Sequence, residues 1–395
     1  MVRSPRRIGA VASPMRLRNG MNPHQAARAS VPGGSPPVRV VSGEPSYINL
    51  LDALNGWQLV REAAEATGLP AAASFKHVSP AGVALSGPLD ATAQATWQPG
   101  ASPGALTAAY IRCRDVDPKS SFGDMVAVSE PVDAELAEFL VGVVADGIVA
   151  PGYEPGAASR LGGKKRGAFL VLEADPAFRP PEWEQRELFG LLLEQQRDSA
   201  PLTADLLTEA TGPLSEGAVR DALLGLVAVR YTQSNSVALV AGGMTIGIGA
   251  GQQNRVDCVR LAAAKAATWW LRRHPRIDGL PAASGMSRQD RLNWQMRMAD
   301  GDMTEGQLAE FGRLFPGAAP IISPDERASW LAGLADACLV SDGYLPFRDN
   351  IDHASRAGVR YVVEPGGSAR SEEVAAACAE YGMTLVRTGL RLFHH

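Results

Sequence analysis

The sequence predicts a layered α/β fold, in which strands and helices alternate along the chain. Short apolar runs of strand length recur at 71–75, 122–128 and 359–363, and segments with apolar residues at helical spacing separate them. Clusters of glycine and proline divide these segments. With 46% hydrophobic and 20% charged residues among 395, the chain has an ordinary globular composition and is long enough for two or three domains.

The first half contains strand and helix signals in alternation. The predicted elements are strands at 38–41, 71–75, 122–128 and 146–153, helices at 49–67, 105–114 and 136–144, and a loop at 156–167. Leu51, Leu54 and Leu59 give the first helix an apolar face, and Gly68 is its predicted end. The loop carries the basic triplet at 164–166.

The second half continues the same alternation. Ser215 is predicted to cap a helix that runs to Arg230, two strands flank the Gly242-Gly243 turn, and a helix starts near Gln252. The remaining predicted elements are a strand at 338–340, a loop at 344–350, a short helix, a strand at 359–363 and a last helix after 368.

Three glycines in the second half invite a comparison with dinucleotide-binding loops. Gly247, Gly249 and Gly251 follow a GxGxG spacing, and no acidic residue lies ~20 positions further on, so this type of loop is rejected. Two interpretations remain. The glycines let the backbone approach a ligand beside the free N–H groups of the next helix, or they form a structural turn.

A weak internal repeat relates the two halves. An apolar run accompanies Asp146-Gly147, with Pro151 beyond it, and a similar run precedes Asp342-Gly343. The aspartates are 342 − 146 = 196 positions apart, about half the chain. This offset predicts two similar α/β subdomains.

Composition excludes several function classes. A net charge of −4 gives no basic surface for nucleic acid, and no apolar stretch is long enough to span a membrane. The four cysteines lie far apart in the sequence without CxxC spacing, which argues against a disulfide framework and against a cysteine zinc site. We therefore expect four buried thiols and a cytoplasmic protein. Residues 1–14, with Arg3, Arg6 and Arg7, are predicted to be a disordered basic leader.

The most informative stretch is 74–82, SFKHVSPAG, which places Lys76 beside His77 where a predicted strand ends. Histidine is the side chain whose ordinary pKa lies nearest neutrality, and an adjacent ammonium favours the neutral imidazole that a general base requires. Ligands of open α/β sheets bind beyond the carboxyl ends of strands. The alternative explanation is a solvated lysine beside a histidine that packs or caps locally.

Further segments occur with 74–82 in a fixed order: YTQSNSV at 231–237, GIGAGQQ at 247–253, WWLR at 269–272, PFRDN at 346–350 and RLFHH at 391–395. Together they resemble the transformylase half of the AICAR formyltransferase/IMP cyclohydrolase family, from about residue 15 to 395. The resemblance implies two tandem cytidine-deaminase-like three-layer α/β/α subdomains lacking zinc, at 15–200 and 201–395. The sequence has neither the His-x-Glu nor the Pro-Cys-x-x-Cys pattern of a zinc deaminase.

The family transfers the formyl group of its co-substrate 10-formyltetrahydrofolate to the 5-amino group of AICAR, giving FAICAR and tetrahydrofolate in IMP biosynthesis. By motif, His77 matches the catalytic base, which the weakly nucleophilic amine needs. Lys76 would stabilise the oxyanion or protonate the departing folate nitrogen, and Asn235 would donate a further hydrogen bond. A loop-capping amide is the alternative role for Asn235.

The resemblance also implies two sets of binding residues. On the AICAR side they are Arg18, Asn49, Gly123, Asp146, Lys165 and Arg391, with the arginines and Lys165 at the phosphate. On the folate side they are Arg255, Pro346, Phe347 and Asp349, with Phe347 packing on the pterin and Asp349 binding its amino groups. The chain departs from the usual family residues at Asn19, where tyrosine is common, and at Tyr344-Leu345.

Partners follow from the same resemblance, which implies a homodimer with shared active sites and no metal requirement. Only about fourteen residues precede the matching region, too few for a cyclohydrolase domain, so we expect FAICAR formation without IMP cyclohydrolase activity, which a separate cyclohydrolase would supply. Two alternatives are a non-catalytic nucleotide- or folate-binding sensor, which would not need Lys76 and His77, and a zinc deaminase, whose ligands the sequence lacks.

Overall fold

The computed structural model describes residues 15–31 and 35–395. The predicted basic leader at 1–14 lies outside the described residues.

The described part of the first half, residues 15–31 and 35–200, contains ten strands and five helices. Its strands are β1 (Met15–Leu17), β2 (Ala27–Ala29), β3 (Val38–Ser42), β4 (Ala71–Lys76), β5 (Ser79–Leu85), β6 (Asp124–Val128), β7 (Ala145–Ala150), β8 (Leu170–Ala174), β9 (Trp183–Leu188) and β10 (Leu191–Gln196). Its helices are α1 (Tyr47–Thr67), α2 (Ala91–Trp97), α3 (Ala105–Val116), α4 (Ala134–Val141) and α5 (Ala157–Gly162), with a 3₁₀ turn at Lys164–Gly167.

The second half contains five strands and eight helices. Its strands are β11 (Val237–Ala241), β12 (Met244–Gly249), β13 (Ala337–Ser341), β14 (Val359–Glu364) and β15 (Thr384–Arg387). Its helices are α6 (Glu216–Arg230), α7 (Arg255–Leu271), α8 (Pro275–Asp278), α9 (Arg288–Asp300), α10 (Glu305–Leu314), α11 (Pro324–Leu331), α12 (Asp349–Ser355) and α13 (Ser371–Glu380), after a 3₁₀ turn at Ala204–Leu207.

One large sheet organises the chain. Its 11 strands run in the order β15-β14-β13-β11-β12-β5-β4-β6-β7-β8-β3. Helices α1 and α6 cover one face, and α3, α4, α7, α12 and α13 cover the other, so that apolar cores lie on both sides of the sheet. The predicted α/β class is confirmed.

The sheet consists of two five-strand sets with the same connectivity, and β3 is added at one edge, antiparallel to β8. In each set a hairpin (β4-β5 or β11-β12) is followed by one antiparallel neighbour and two parallel neighbours, which are β6, β7 and β8 in the first set and β13, β14 and β15 in the second. The sets meet where β5 and β12 pair antiparallel. This topology makes β13 the counterpart of β6, so the predicted equivalence of Asp146 and Asp342 at an offset of 196 is wrong. Asp146 is the second residue of β7, whereas Asp342 follows β13.

Antiparallel pairing also determines which strand ends lie together. The carboxyl ends of β4, β12 and β13 share one end of the sheet with the amino ends of β5, β6, β7 and β11. We call this the site end of the sheet. Lys76 does end its strand, as predicted, but the two strands paired with β4, namely β5 and β6, are antiparallel to it and therefore present their amino ends there.

Several predicted elements need correction. The segment 156–167, predicted to be a loop, forms helix α5 and a 3₁₀ turn. The helix is stabilised because its Ala157 and Leu161 side chains are buried in the apolar core. Helix α7 begins at Arg255, not near Gln252, and the Asn254 side chain caps it by accepting the Asp257 N–H at 2.9 Å. The predicted loop 344–350 ends where α12 begins, at Asp349.

Two of the three glycines of the GxGxG segment, Gly247 and Gly249, serve helix packing. A Cβ at Gly247 would lie 2.1 Å from the carbonyl oxygen of Ala262, and one at Gly249 would lie 2.1 Å from that of Cys258. Both carbonyls belong to α7, so Gly247 and Gly249 let the helix approach β12 and do not face a ligand, which corrects that interpretation for these two positions. Gly251 differs, because its φ is 67° and nothing lies within 4 Å of a Cβ placed there.

Candidate functional site

A cleft of about 450 Å³ opens at the site end of the sheet, where the two strand sets meet. Its charged and titratable groups are Lys76, His77, Lys119 and Lys265. Its remaining walls are formed by Ser79, Pro80, Ala81, Ser120 and Phe122 from the first half and by Ile248, Ala250 and Leu261 from the second. Both halves of the chain therefore build this cleft, and two of the predicted catalytic residues line it.

Lys76 is the last residue of β4, and its ammonium is held in place. Its Nζ donates to the carbonyl oxygens of Phe122 at 2.7 Å and Gly123 at 2.9 Å, just before β6. An ammonium has three protons, so these two bonds leave one for a ligand in the cleft. The anchoring fixes where that proton is offered.

His77 and Val78 form the turn between β4 and β5. His77 is exposed to the cleft and has a φ of 53°, and Val78 has a φ of 60°. The Val78 N–H donates to Oδ1 of Asp52, a buried residue of α1, at 2.6 Å. Burial raises the pKa of the Asp52 carboxyl, although the Val78 hydrogen bond and the nearby Lys76 ammonium oppose the shift. Asp52 was not among the predicted site residues, and its only signal in the sequence is a carboxylate among the apolar positions of α1.

The predicted AICAR-side residues Gly123, Asp146 and Lys165 lie beside Lys76. Gly123 has a φ of 75°, and a Cβ there would lie 3.1 Å from Lys76 Nζ and 3.6 Å from Asp146 Oδ1. Lys165 forms an ion pair with Asp146 at 2.7 Å. The Lys164 side chain points away from this group, because its Nζ donates to the carbonyl oxygens of Leu140 and Val143. Burial lowers the pKa of Lys164 to about 8.

A buried network supports Gly123 from behind. Asp124 accepts hydrogen bonds from Ser74 Oγ at 2.7 Å and from Arg114 Nη1 at 2.9 Å, and all three side chains are buried. Burial raises the pKa of Asp124, against the opposing charge of Arg114. This network joins β4, α3 and β6 directly beneath the cleft and was not foreseen from the sequence.

The predicted residues Arg18 and Asn49 lie near the start of α1. Asn49 takes part in a capping box, in which its Oδ1 accepts the Ser46 N–H at 3.0 Å and its own N–H donates to Ser46 Oγ at 3.2 Å. The exposed Arg18 precedes Asn19, whose carbonyl accepts the Tyr47 N–H at 3.0 Å. The structure thus gives Asn49 a structural role at the helix terminus.

Asn235 and Arg255 belong to a second cluster at the site end of the sheet. Arg255 Nη2 donates to Asn235 Oδ1 at 2.9 Å, and Arg255 Nη1 pairs with the buried carboxylate of Asp342. Asn235 Nδ2 donates to the carbonyl of Gln252 at 3.0 Å. Among the described residues no hydrogen bond links Asn235 to Lys76 or His77, so the three predicted catalytic residues occupy two neighbouring clusters. Asp342, at the end of β13, is a further residue that sequence reasoning did not place in the site.

The C-terminal segment covers this second cluster. The Leu392 N–H donates to the carbonyl of Asp342 at 2.8 Å, and the His394 N–H donates to Ser234 Oγ at 3.0 Å. The Arg391 guanidinium lies 4.6 Å from the centre of the Phe393 ring, which also faces Arg255. Arg391 therefore lies with the second cluster, whereas Lys165, predicted to share the phosphate with it, lies with the first.

The predicted folate-side residues Pro346, Phe347 and Asp349 follow β13 beside this cluster. The Phe347 ring is 49% exposed and has the Arg370 guanidinium 5.2 Å from its centre. Asp349 is exposed and begins α12. An exposed aromatic ring and an exposed carboxylate are thus available to a ligand here.

Metal and membrane features can be assessed over the same range. Within residues 15–31 and 35–395, no group of three or more His, Cys, Asp or Glu side chains is arranged to hold a metal ion. No helix in this part of the chain is long and apolar enough to cross a membrane. All four cysteines are buried and unpaired with one another, as predicted.

Comparison with known proteins gives a consistent result. A sequence model of the AICARFT/IMPCHase bienzyme family matches residues 5–265. The bifunctional purine biosynthesis protein PurH of Roseobacter denitrificans is 30% identical over 96% of this chain and 59% of its own length. PurH of Dinoroseobacter shibae is 31% identical over 96% and 59%, and PurH of Synechococcus elongatus is 32% identical over 98% and 61%. The chain thus spans about 60% of the length of these relatives.

Proposed function

Because this chain belongs to the AICARFT/IMPCHase bienzyme family of purine biosynthesis, we propose that it is an AICAR formyltransferase that uses 10-formyltetrahydrofolate as co-substrate. One observation carries the proposal: Lys76 and His77 stand side by side in a cleft built by both halves of the chain. Their separate anchoring, through the carbonyls before β6 and through Asp52, favours a catalytic role over a solvated surface pair.

The proposed reaction needs one base and one acid. The AICAR amine attacks the formyl carbon and loses its proton to His77, while the carbonyl oxygen becomes an oxyanion that the Lys76 ammonium stabilises. The bond between that carbon and the folate nitrogen then breaks. The leaving nitrogen takes a proton from Lys76, and the proton held by His77 restores the ammonium. A formyl amide and tetrahydrofolate result.

Substrate placement follows the two clusters. We propose that AICAR binds along Gly123, Asp146 and Lys165 beside Lys76, where the absence of a side chain at Gly123 leaves space for the Lys76 ammonium. The folate would bind toward Phe347 and Asp349, where an aromatic face and an acceptor for amino groups are exposed. The Arg18 and Arg391 guanidinium groups are both exposed and suited to phosphate.

We also propose a homodimer, and the β9-β10 hairpin supports it. This two-stranded sheet pairs with no other strand among the described residues, and an isolated hairpin is marginally stable in water. Six of its large apolar side chains are at least 49% exposed, namely Trp183, Leu188, Phe189, Leu191, Leu192 and Leu193. Such a concentration of exposed apolar surface is typical of a protein interface, and a second copy of this chain is the occupant we propose.

Formyl transfer can be tested directly. Purified protein mixed with AICAR and 10-formyltetrahydrofolate should release tetrahydrofolate, and His77→Ala should lower turnover by roughly 10²-fold while AICAR binding stays nearly intact. His353→Ala, outside the cleft, serves as the matched control and should keep its rate.

Near-normal turnover in His77→Ala would contradict the assignment of the base. Binding of both substrates by the wild-type protein without any tetrahydrofolate release would favour the sensor alternative. We propose that these 395 residues catalyse formyl transfer to AICAR but not the ring closure of FAICAR to IMP. The amount of product should therefore plateau early and rise again when a separate cyclohydrolase is added.

A further inference from the structure

The turn that carries His77 has an unusual backbone. His77 and Val78 are consecutive residues with φ of 53° and 60°, a region that residues with a Cβ rarely adopt and β-branched residues adopt least. Backbone of this kind persists only where surrounding contacts enforce it, and it concentrates at functional sites.

The second strand set contains the same turn without the strain. By topology the β11-β12 hairpin corresponds to β4-β5, and in both hairpins two residues separate the strands. These residues are His77-Val78 in the first set and Gly242-Gly243 in the second, where φ is 60° and 77°. The turn geometry is therefore satisfied by glycines in one half, whereas the other half keeps two side chains in the same left-handed positions.

An aspartate in the preceding helix holds each turn. Asp52 is the sixth residue of α1 and accepts the Val78 N–H at 2.6 Å, and Asp221 is the sixth residue of α6 and accepts the Gly243 N–H at 2.7 Å. The two residues are similarly buried, at 6% and 5% exposure. Asp221 is also paired with Arg220, whereas Asp52 has no ion-pair partner within 4.0 Å among the described residues. The hydrogen bond to the turn is thus the main polar contact of the Asp52 side chain.

We infer that Asp52 is a positioning residue, which holds the strained His77-Val78 backbone and thereby aims the His77 imidazole into the cleft. This inference rests on the proposed function of His77 as the general base. Lys76 is anchored independently through Phe122 and Gly123, so loss of Asp52 should release His77 and leave the ammonium in place. The carboxylate acts through the turn and does not itself touch the reacting atoms.

The test is a double-mutant cycle on turnover, with the equivalent aspartate as the matched control. Asp52→Ala should lower turnover by about 10- to 100-fold, the size expected from a small displacement of a catalytic group. In a His77→Ala background the same change should lower turnover less than about twofold, because the group it positions is already absent. Asp221→Ala removes the equivalent hydrogen bond from the glycine turn and should leave turnover near wild type.

Asp52→Asn distinguishes the hydrogen bond from the charge. Its amide oxygen can still accept the Val78 N–H, so turnover should be largely retained. An equal loss with asparagine and alanine would overturn the positioning role. So would an equal loss from Asp52→Ala with and without His77, or a similar loss from Asp221→Ala.

A second measurement does not depend on activity. Deuterium exchange of the peptide covering 74–82 should accelerate in Asp52→Ala, and the NMR signal of the His77 imidazole should shift, with little change in the segment around Gly123. If the wild-type chain shows no formyl transfer, the proposed function fails, and these two readouts still decide whether Asp52 orders the turn. Unchanged exchange and an unchanged His77 signal in Asp52→Ala would overturn the inference. If that variant does not fold, Asp52→Leu replaces it, because leucine also lacks an acceptor for the Val78 N–H and is close to aspartate in size.

Discussion

Replacing Gly247 by alanine tests how closely helix α7 approaches β12. The added Cβ would lie 2.1 Å from the carbonyl oxygen of Ala262 and 2.9 Å from the nitrogen of Ala266, both in the helix backbone. An unstrained contact needs about 3.4 Å, so the helix has to move by roughly 1 Å. Overpacking of this kind typically costs 1–3 kcal/mol, and we expect about 3 kcal/mol because the obstacle is backbone that no rotamer change can relieve.

This cost converts into a measurable melting shift. At about 2.1 cal/mol/K of unfolding entropy per residue, 395 residues give roughly 0.8 kcal/mol/K, so 3 kcal/mol lowers the Tm by about 4 °C. Gly312→Ala makes the same chemical change in α10 where nothing lies within 4 Å, and it should slightly raise the Tm because alanine favours helix. Thermal denaturation followed by circular dichroism provides the comparison. A Gly247→Ala protein at least as stable as the wild type would refute the packing argument.

Two further predictions concern stability and assembly. Burial raises the pKa of Asp115, but Arg272 and Arg273 outweigh it, and the folded pKa lies below the ordinary value of 3.8. The stability that the ionised Asp115 contributes is therefore complete above its unfolded pKa and is lost as the pH falls below about 4. The Tm should drop in that range, and it should drop less steeply in Asp115→Asn. Parallel curves of Tm against pH for the two proteins would contradict this prediction. For the dimer, Phe189→Ser combined with Leu192→Ser should reduce the mass seen by light scattering to that of a 41.6 kDa monomer, with Ile321→Ser, exposed elsewhere, as control. A dimer that survives the hairpin change would remove the hairpin from the interface.

Some features of the fold could be predicted because their signals are local. Gly68 and Ser215 are capping residues whose backbone and hydrogen-bonding preferences are independent of distant contacts. Helix α1 ends at Gly68 and helix α6 begins after Ser215, as predicted. Strands β4, β6 and β14 were likewise predicted, because each is a short apolar run of strand length. The subdomain boundary at 200/201 and the roles of the site residues stay predictions.

Other elements were missed because their stability comes from packing. A separate apolar core surrounds Trp294, Phe311 and Phe315 in helices α9 and α10 and the residue that follows them. No clear periodicity of apolar residues in the sequence predicted these two helices. The short helix α5 was predicted as loop for the same reason.

The sequence by itself determined the α/β class and the pair Lys76-His77 at the end of a strand, because strand ends, caps and motif residues are encoded over a few neighbouring positions. Only the tertiary structure decided which residues stand around that pair. Antiparallel pairing brought the start of β6 to Lys76, α1 placed the Asp52 carboxylate under the turn, and β12 and α7 brought Ile248 and Leu261 into the cleft beside Lys76. These contacts join residues tens to more than a hundred positions apart, and they depend on strand order and helix packing, which local sequence patterns do not specify.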